Sequence, residues 1–126
     1  MRVQRAQRLG GPGKGQTMKP VVEYTEAGTR KLFHKFHSHE ETIRRAVEET
    51  IQKQLDTNFS KTKLASRIPY EGRKLYECRV NVGKLPAFRV AFAVHDCHVQ
   101  VVFMTNRIQK SDFSRLLDTF LKAGPR

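Results

Sequence analysis

Several features that would mark common protein classes are missing from this 126-residue chain. No apolar run approaches the roughly 18 residues that a membrane-spanning helix needs, which excludes a transmembrane protein. The two cysteines, Cys78 and Cys97, are too few for a disulfide-dense scaffold, and no stretch resembles a secretory signal, so a reduced, cytoplasmic setting is expected. Acidic residues are also scarce, with 12 Asp and Glu against 24 Lys and Arg. The net charge of +12 predicts a polyanionic partner: nucleic acid, an acidic protein or an anionic membrane surface.

The chain length fits one domain, and the charge is concentrated at its start. Residues 1–19 contain basic residues and no acidic one, and 10–15 is rich in glycine. We therefore expect 1–18 to be a disordered basic arm and 19–126 to form a single domain. A later start at Met18 and a cloning remnant are competing explanations for the arm.

Apolar spacing predicts a strand and then two helices. The strand covers 19–24, and Thr25 can cap a first helix that ends near Phe36. Ser38 and Glu41 have the spacing of a capping box at the start of a second helix. The simplest arrangement is a helical hairpin. The second helix has one apolar stripe, formed by Ile43, Ala46, Val47, Thr50, Ile51 and Leu55.

After residue 75 the apolar period changes to two, which predicts antiparallel strands over 76–82, 88–95 and 98–105. A final helix capped by Ser111 follows. If the turn at 83–87 pairs Val82 with Phe88, Asn81 lies directly opposite Arg89. The face expected to lie under the helices carries Cys78, Val80, Val82, Val90, Phe92, Val94, Val99, Val101 and Phe103. The other face, expected to be uncovered, carries Glu77, Arg79, Asn81, Arg89, Ala91, Ala93, Gln100, Val102 and Met104.

Two arginines on an uncovered sheet face are suited to binding a phosphodiester, and they could stabilise negative charge during its cleavage. The small residues beside Arg89 leave it room to reach a ligand. The alternative is that Arg79 and Arg89 are solvated or paired with Glu77. The segment after the last strand leaves at the Arg89 end, so its basic residues extend the surface. These are Arg107 and Lys110.

Basic residues also fill the connection at 56–74, which reads either as a phosphate-binding loop or as an ordinary solvated loop. His95 and His98 flank a turn about 20 Å along the strand from Arg89 and are interpreted as exposed turn residues. No spacing typical of a metal site is present, and no metal is expected. The candidate RNA-binding residues are Lys61, Lys63, Arg67, Arg73, Lys74, Asn81 and Lys84.

The order of these elements, together with the segments 75–80, 88–92, 95–96 and 106–111, resembles the RelE/ParE superfamily of toxins from type II toxin–antitoxin systems, and within it RelE/HigB-like members. The resemblance covers roughly 19–122. It implies a small α+β domain with a RelE-like fold. It also implies a ribosome-associated endoribonuclease that cuts mRNA by attack of the 2′-hydroxyl on phosphorus, without metal or cofactor, and so inhibits translation. Its implied partners are a cognate antitoxin, mRNA and the ribosome, and no membrane.

The same resemblance assigns roles to individual residues. Arg89 matches the strand arginine of the family's aromatic–Arg–aliphatic pattern, and Arg79 stands where RelE-like toxins have a basic residue. Glu77 occupies a position that is basic in RelE, and a general-base role is a hypothesis for it. Arg107 and Lys110 match the basic stretch after the last strand. The chain departs from the family in having no Tyr or His after His98, so a ParE-like gyrase inhibitor and an inactive nucleic-acid-binding or antitoxin-binding module remain alternatives.

Overall fold

The structure is a computed structural model that describes residues 20–59 and 62–123. The arm expected at 1–18 lies outside these residues. The strands are β1 Val21–Tyr24, β2 Lys63–Leu64, β3 Tyr76–Val80, β4 Phe88–His95 and β5 His98–Thr105, and the helices are α1 Glu26–Lys35, α2 Glu40–Asp56 and α3 Lys110–Lys122.

The strands form one mixed sheet in the order β1-β5-β4-β3-β2. The first strand is parallel to β5, and the other neighbours are antiparallel. The α+β class is therefore confirmed. The short edge strand β2 lies in the segment interpreted as a loop, and its two residues are too few to produce a visible alternation.

The first two helices bury their apolar stripes on one face of the sheet. Ile43, Val47 and Ile51 recur every fourth residue along α2 and are fully buried. They pack with Leu32 and Phe33 of α1 and with the valines of β3, β4 and β5. This layer is the larger part of the core.

The other face is covered as well, which corrects the expectation of an uncovered surface. Phe113 and Leu117 of α3 are fully buried against Ala91, Ala93 and Val102. The apolar stripe of α3 needs a partner, and the small alanines let the helix approach the sheet closely. The room expected beside Arg89 for a ligand is therefore partly filled by the protein itself.

The register between β3 and β4 differs by two residues from the one expected. Val80 pairs with Phe88 and Arg79 with Arg89, so Asn81 does not lie opposite Arg89. Val82 is 3% exposed but lies beyond the end of β3, so an apolar residue of the turn has the appearance of a strand residue. A shift of two residues keeps each side chain on its expected face.

A register shift between β4 and β5 changes the faces near the end of β5. Ala91 pairs with Phe103 but Phe92 pairs with Val101, so one extra residue lies between them. Phe103 consequently packs with the α3 layer and Met104 with the α1/α2 layer, the reverse of what was expected.

The helix starts also differ from the expected caps. Helix α2 begins at Glu40 after a short 3₁₀ turn, with His39 rather than Ser38 at its N-cap. Helix α3 has Gln109 rather than Ser111 at that position. Thr25 does precede α1, but its hydroxyl accepts a 2.7 Å hydrogen bond from Gln100 instead of capping the helix.

Candidate nucleic-acid interface

Two arginines stand side by side near the end of the sheet where β3 ends and β4 begins. Arg79 and Arg89 are direct cross-strand partners. Side chains at such positions lie on the same face, with Cβ atoms roughly 4.5–5.5 Å apart. They differ in exposure, because Arg79 is exposed whereas the Arg89 side chain is only 21% exposed.

A buried carboxylate holds Arg89 in place. The Glu77 side chain is 3% exposed, and its Oε2 lies 2.5 Å from Arg89 Nη1. Arg89 Nε also donates a hydrogen bond to the Ile108 carbonyl, in the segment that leads into α3. The second carboxylate oxygen, Oε1, forms an ion pair with Lys110 Nζ. Both oxygens of Glu77 are thus occupied by cations of the chain itself.

Lysines from two elements complete this arrangement. Lys63 of β2 is the cross-strand partner of Glu77, and Lys110 Nζ lies 3.5 Å from the Leu64 carbonyl. Burial, and secondarily the charge of Lys63, lower the pKa of Lys110. Glu77 opposes this shift, because a nearby carboxylate favours the charged ammonium. We call Lys63, Arg79, Arg89 and Lys110, gathered around Glu77, the basic cluster.

The cluster is cationic despite its carboxylate. Four basic side chains surround one acid, and Lys63 and Arg79 are exposed. A buried carboxylate with two cations fixes their positions, since charge-assisted bonds are directional and stronger inside a protein than in water. The exposed cations remain available to an anionic ligand.

The other candidate residues lie elsewhere. Arg107 is exposed and lines a groove between α1 and α3 rather than the basic cluster. Arg73 lines a pocket of about 290 Å³ with His95 and His98, at the end of β4 opposite Arg89. Lys61 lies outside the described residues. The remaining candidates, Arg67, Lys74, Asn81 and Lys84, are exposed on loops.

The histidines at the 95–98 turn have local partners. His98 Nε2 lies 2.9 Å from Glu23 Oε1, and His95 Nε2 lies 3.7 Å from Asp96 Oδ2. Within residues 20–59 and 62–123, no group of three or more His, Cys, Asp or Glu side chains is arranged to hold a metal ion. None of the helices in this same part of the chain is long and apolar enough to cross a membrane.

The sequence predicts that Lys110 lies at the Arg89 end of the sheet, but the ion pair between Lys110 and Glu77 was not predicted. The groove between α1 and α3 was not predicted either. The available signal was the basic character of α1, where Arg30, Lys31 and Lys35 occur together.

Comparison of the chain with protein-family models, curated proteins and solved structures finds no match.

Proposed function

We propose that this protein is a metal-independent endoribonuclease of the RelE type, the toxin of a type II toxin–antitoxin system, which cuts ribosome-bound mRNA in the cytoplasm and is inhibited by a cognate antitoxin. One observation carries the proposal. Arg79 and Arg89 are direct neighbours on one sheet face, with Lys63 and Lys110 beside them. This density of cations suits an RNA phosphate and the additional negative charge that develops on it during cleavage.

The order of elements supports the same proposal. A strand and two helices precede an antiparallel meander and a C-terminal helix, which is the arrangement that the RelE/ParE resemblance implies. We therefore propose that the α+β fold of this chain is RelE-like.

The proposed reaction assigns tasks to Arg79, Lys110 and Glu77. The 2′-hydroxyl attacks the adjacent phosphorus while the bond from phosphorus to the 5′-oxygen breaks, and a proton moves from the attacking oxygen to the leaving one. Arg79, exposed beside Arg89, binds the phosphate oxygens. We assign proton transfer to Lys110 because Glu77 holds its Nζ beside Arg89 while half of its side chain stays exposed. Burial lowers the pKa of this ammonium, which is the direction that proton exchange requires. Glu77 acts as a positioning residue for Arg89 and Lys110 and is too buried to serve as the base.

A second candidate function is RNA binding without cleavage. It is favoured by the state of Arg89, whose Nε and Nη1 are both engaged by the protein. On this alternative the exposed cations bind the backbone and no group transfers protons. A ParE-like inhibitor of DNA gyrase would leave messages intact.

The test is translation of a defined message with the purified full chain, with new mRNA ends mapped by primer extension. We expect discrete new ends, and Arg79→Ala should reduce their rate of appearance about 100–1000-fold. Arg45→Ala is the matched control, because Arg45 is an exposed arginine of α2 outside the basic cluster. It should retain full activity.

The other outcomes separate the alternatives. Intact messages, together with RNA binding that weakens steeply with salt, would reject the nuclease in favour of the binding module. Intact messages with blocked DNA supercoiling by gyrase would favour the ParE-like reading.

A further inference from the structure

A pocket of about 290 Å³ lies where β4 ends and β5 begins, at the other end of β4 from the basic cluster. His95 and His98 are direct cross-strand partners there and line one side of the pocket. Ala93, which is 2% exposed, lies at its base. Pockets that bind small molecules typically measure about 300–1,000 Å³, so this one suits a compact ligand.

A tight turn at 70–73 forms the other side of the pocket. The amide N–H groups of Tyr70 and Arg73 each donate a 2.9 Å hydrogen bond to the carbonyl of the other residue. Glu71 and Gly72 lie between them with φ values of 50° and 79°, the left-handed conformation that two-residue hairpin turns require. Tyr70 also packs against the apolar layer under α3. The backbone that carries Arg73 is therefore held in place beside the sheet.

The residues that line the pocket include a guanidinium without an acidic partner. Arg73 is exposed, and no carboxylate of the described residues forms an ion pair with it. His95 has only an exposed acidic neighbour at 3.7 Å, a kind of pair that contributes little. Glu23 Oε1 accepts a 2.9 Å hydrogen bond from His98 Nε2 and so orients that ring. An anion in the pocket would meet Arg73 and His95 as donors, and it would be repelled by the exposed carboxylate of Glu71.

We propose that the pocket binds a small phosphate monoester. The phosphate group of such a ligand has three terminal oxygens, and the donors that would meet them stand on both sides of the pocket. Arg73 suits two of these oxygens, because a guanidinium binds phosphate in a bidentate manner. His95 donates to the third. A carboxylate has only two oxygens, and a phosphodiester of RNA has only two that are not esterified. The net charge of +12 further favours an anion over a cation as the ligand.

This inference does not rest on the proposed nuclease activity. His95 lies six residues along β4 from Arg89, a distance of about 20 Å. Binding of a phosphate monoester in the pocket and cleavage of RNA at the basic cluster can therefore each fail without the other.

The test follows the NMR signals of the full-length protein as ethyl phosphate is added at pH 8 and constant ionic strength. We expect saturable shifts of the imidazole signals of His95 and His98 and of the amide signal of Arg73. Two other anions serve as references. Diethyl phosphate has only two free oxygens, and malonate has the same charge as ethyl phosphate but no phosphate group. Each should bind at least tenfold more weakly than ethyl phosphate.

Two variants of the turn should change the affinity for ethyl phosphate in opposite directions. Arg73→Gln removes the bidentate donor and should weaken binding at least tenfold. Glu71→Gln removes a repulsive charge and should strengthen binding at least twofold, which a folding defect would not produce. Arg67 is an exposed arginine of the same connection outside the pocket, so Arg67→Gln should leave the affinity unchanged.

Equal affinity for malonate would overturn the proposal, since charge alone would then explain the binding. So would unmoved imidazole signals in the unaltered protein, or equal losses of affinity in Arg67→Gln and Arg73→Gln. Displacement of ethyl phosphate by a single-stranded RNA without a terminal phosphate would also overturn it, because the pocket would then belong to an RNA-binding surface.

Discussion

Replacing Arg89 by alanine should destabilise this protein strongly, although the sequence predicts that Arg89 lies on an uncovered face of the sheet. The Arg89 side chain is 21% exposed, and its partner Glu77 is 3% exposed. Removing one member of a buried ion pair typically costs about 3–5 kcal/mol, because the other charge stays buried without compensation. Lys110 still contacts Glu77 in the variant, so we expect the lower end, about 3 kcal/mol. With a urea m-value of about 2 kcal/mol/M, the unfolding midpoint should fall by about 1.5 M.

The neighbouring arginine supplies the matched control. Arg79→Ala removes the same side chain from the cross-strand position, but Arg79 is exposed, and its change should stay within about 0.5 kcal/mol. The double variant Arg89→Met/Glu77→Leu should recover most of the loss, because an apolar pair can replace a buried ion pair without penalty. Equal urea midpoints for Arg79→Ala and Arg89→Ala would refute the argument that burial of Glu77 sets the cost.

Three further predictions concern other parts of the molecule. A Cβ on Gly28 would lie 1.8 Å from a backbone carbonyl oxygen of β5. Gly28→Ala should therefore lower the free energy of unfolding in urea by about 1–3 kcal/mol or more. An unchanged unfolding midpoint would mean that α1 does not lie on β5. Burial raises the pKa of the Cys78 thiol to about 12. Iodoacetamide at pH 8 should therefore label only Cys97 in the folded protein, as measured by mass spectrometry. Rapid labelling of Cys78 would contradict its burial. The NMR titration midpoint of Lys110 should lie below the usual 10.5 and rise in Lys63→Ala, because a positive neighbour is removed; a midpoint that did not move would exclude Lys63 as a cause.

Strand and turn positions in the second half of the chain could be predicted from the sequence. The alternation of apolar and polar side chains there indicates strands and no other structure. Strands β4 and β5 cover the expected residues 88–95 and 98–105. Asp96 lies in the tight turn between them with a φ of 56°, a conformation that Asp tolerates better than most residues. Pattern and turn chemistry agree at this hairpin, so the prediction is correct.

Register and face were harder to predict where the pattern is ambiguous. Residues 101–104 are all apolar, so nothing in the sequence marks the irregularity that exchanges the faces of Phe103 and Met104. Val82 is buried from a turn, which makes β3 appear two residues longer than it is. In both places burial is produced by tertiary contacts and not by strand alternation.

The candidate site likewise has one feature that could be predicted from the sequence and one that could not. That Arg79 and Arg89 share a face follows from the parity of their positions and survives the two-residue shift in register. Arg79 is exposed whereas Arg89 is held by Glu77. This difference depends on the path of the chain into α3, because Ile108 contacts Arg89 and Lys110 contacts Glu77. No local pattern contains this information, since it is set by packing between residues 19 positions apart (Arg89 and Ile108) and 33 positions apart (Glu77 and Lys110).

This division determines how the site can be studied. In the basic cluster the contacts that orient Arg89 are also contacts that stabilise the fold, so loss of activity in Arg89→Ala would not separate a chemical role from unfolding. Arg79 is exposed, and its removal changes the charge offered to a ligand without exposing a buried group or leaving one without a partner. A loss of RNA cleavage in Arg79→Ala at unchanged stability therefore tests the chemistry alone, whereas Glu77 and Arg89 report on how firmly the fold holds the site in place.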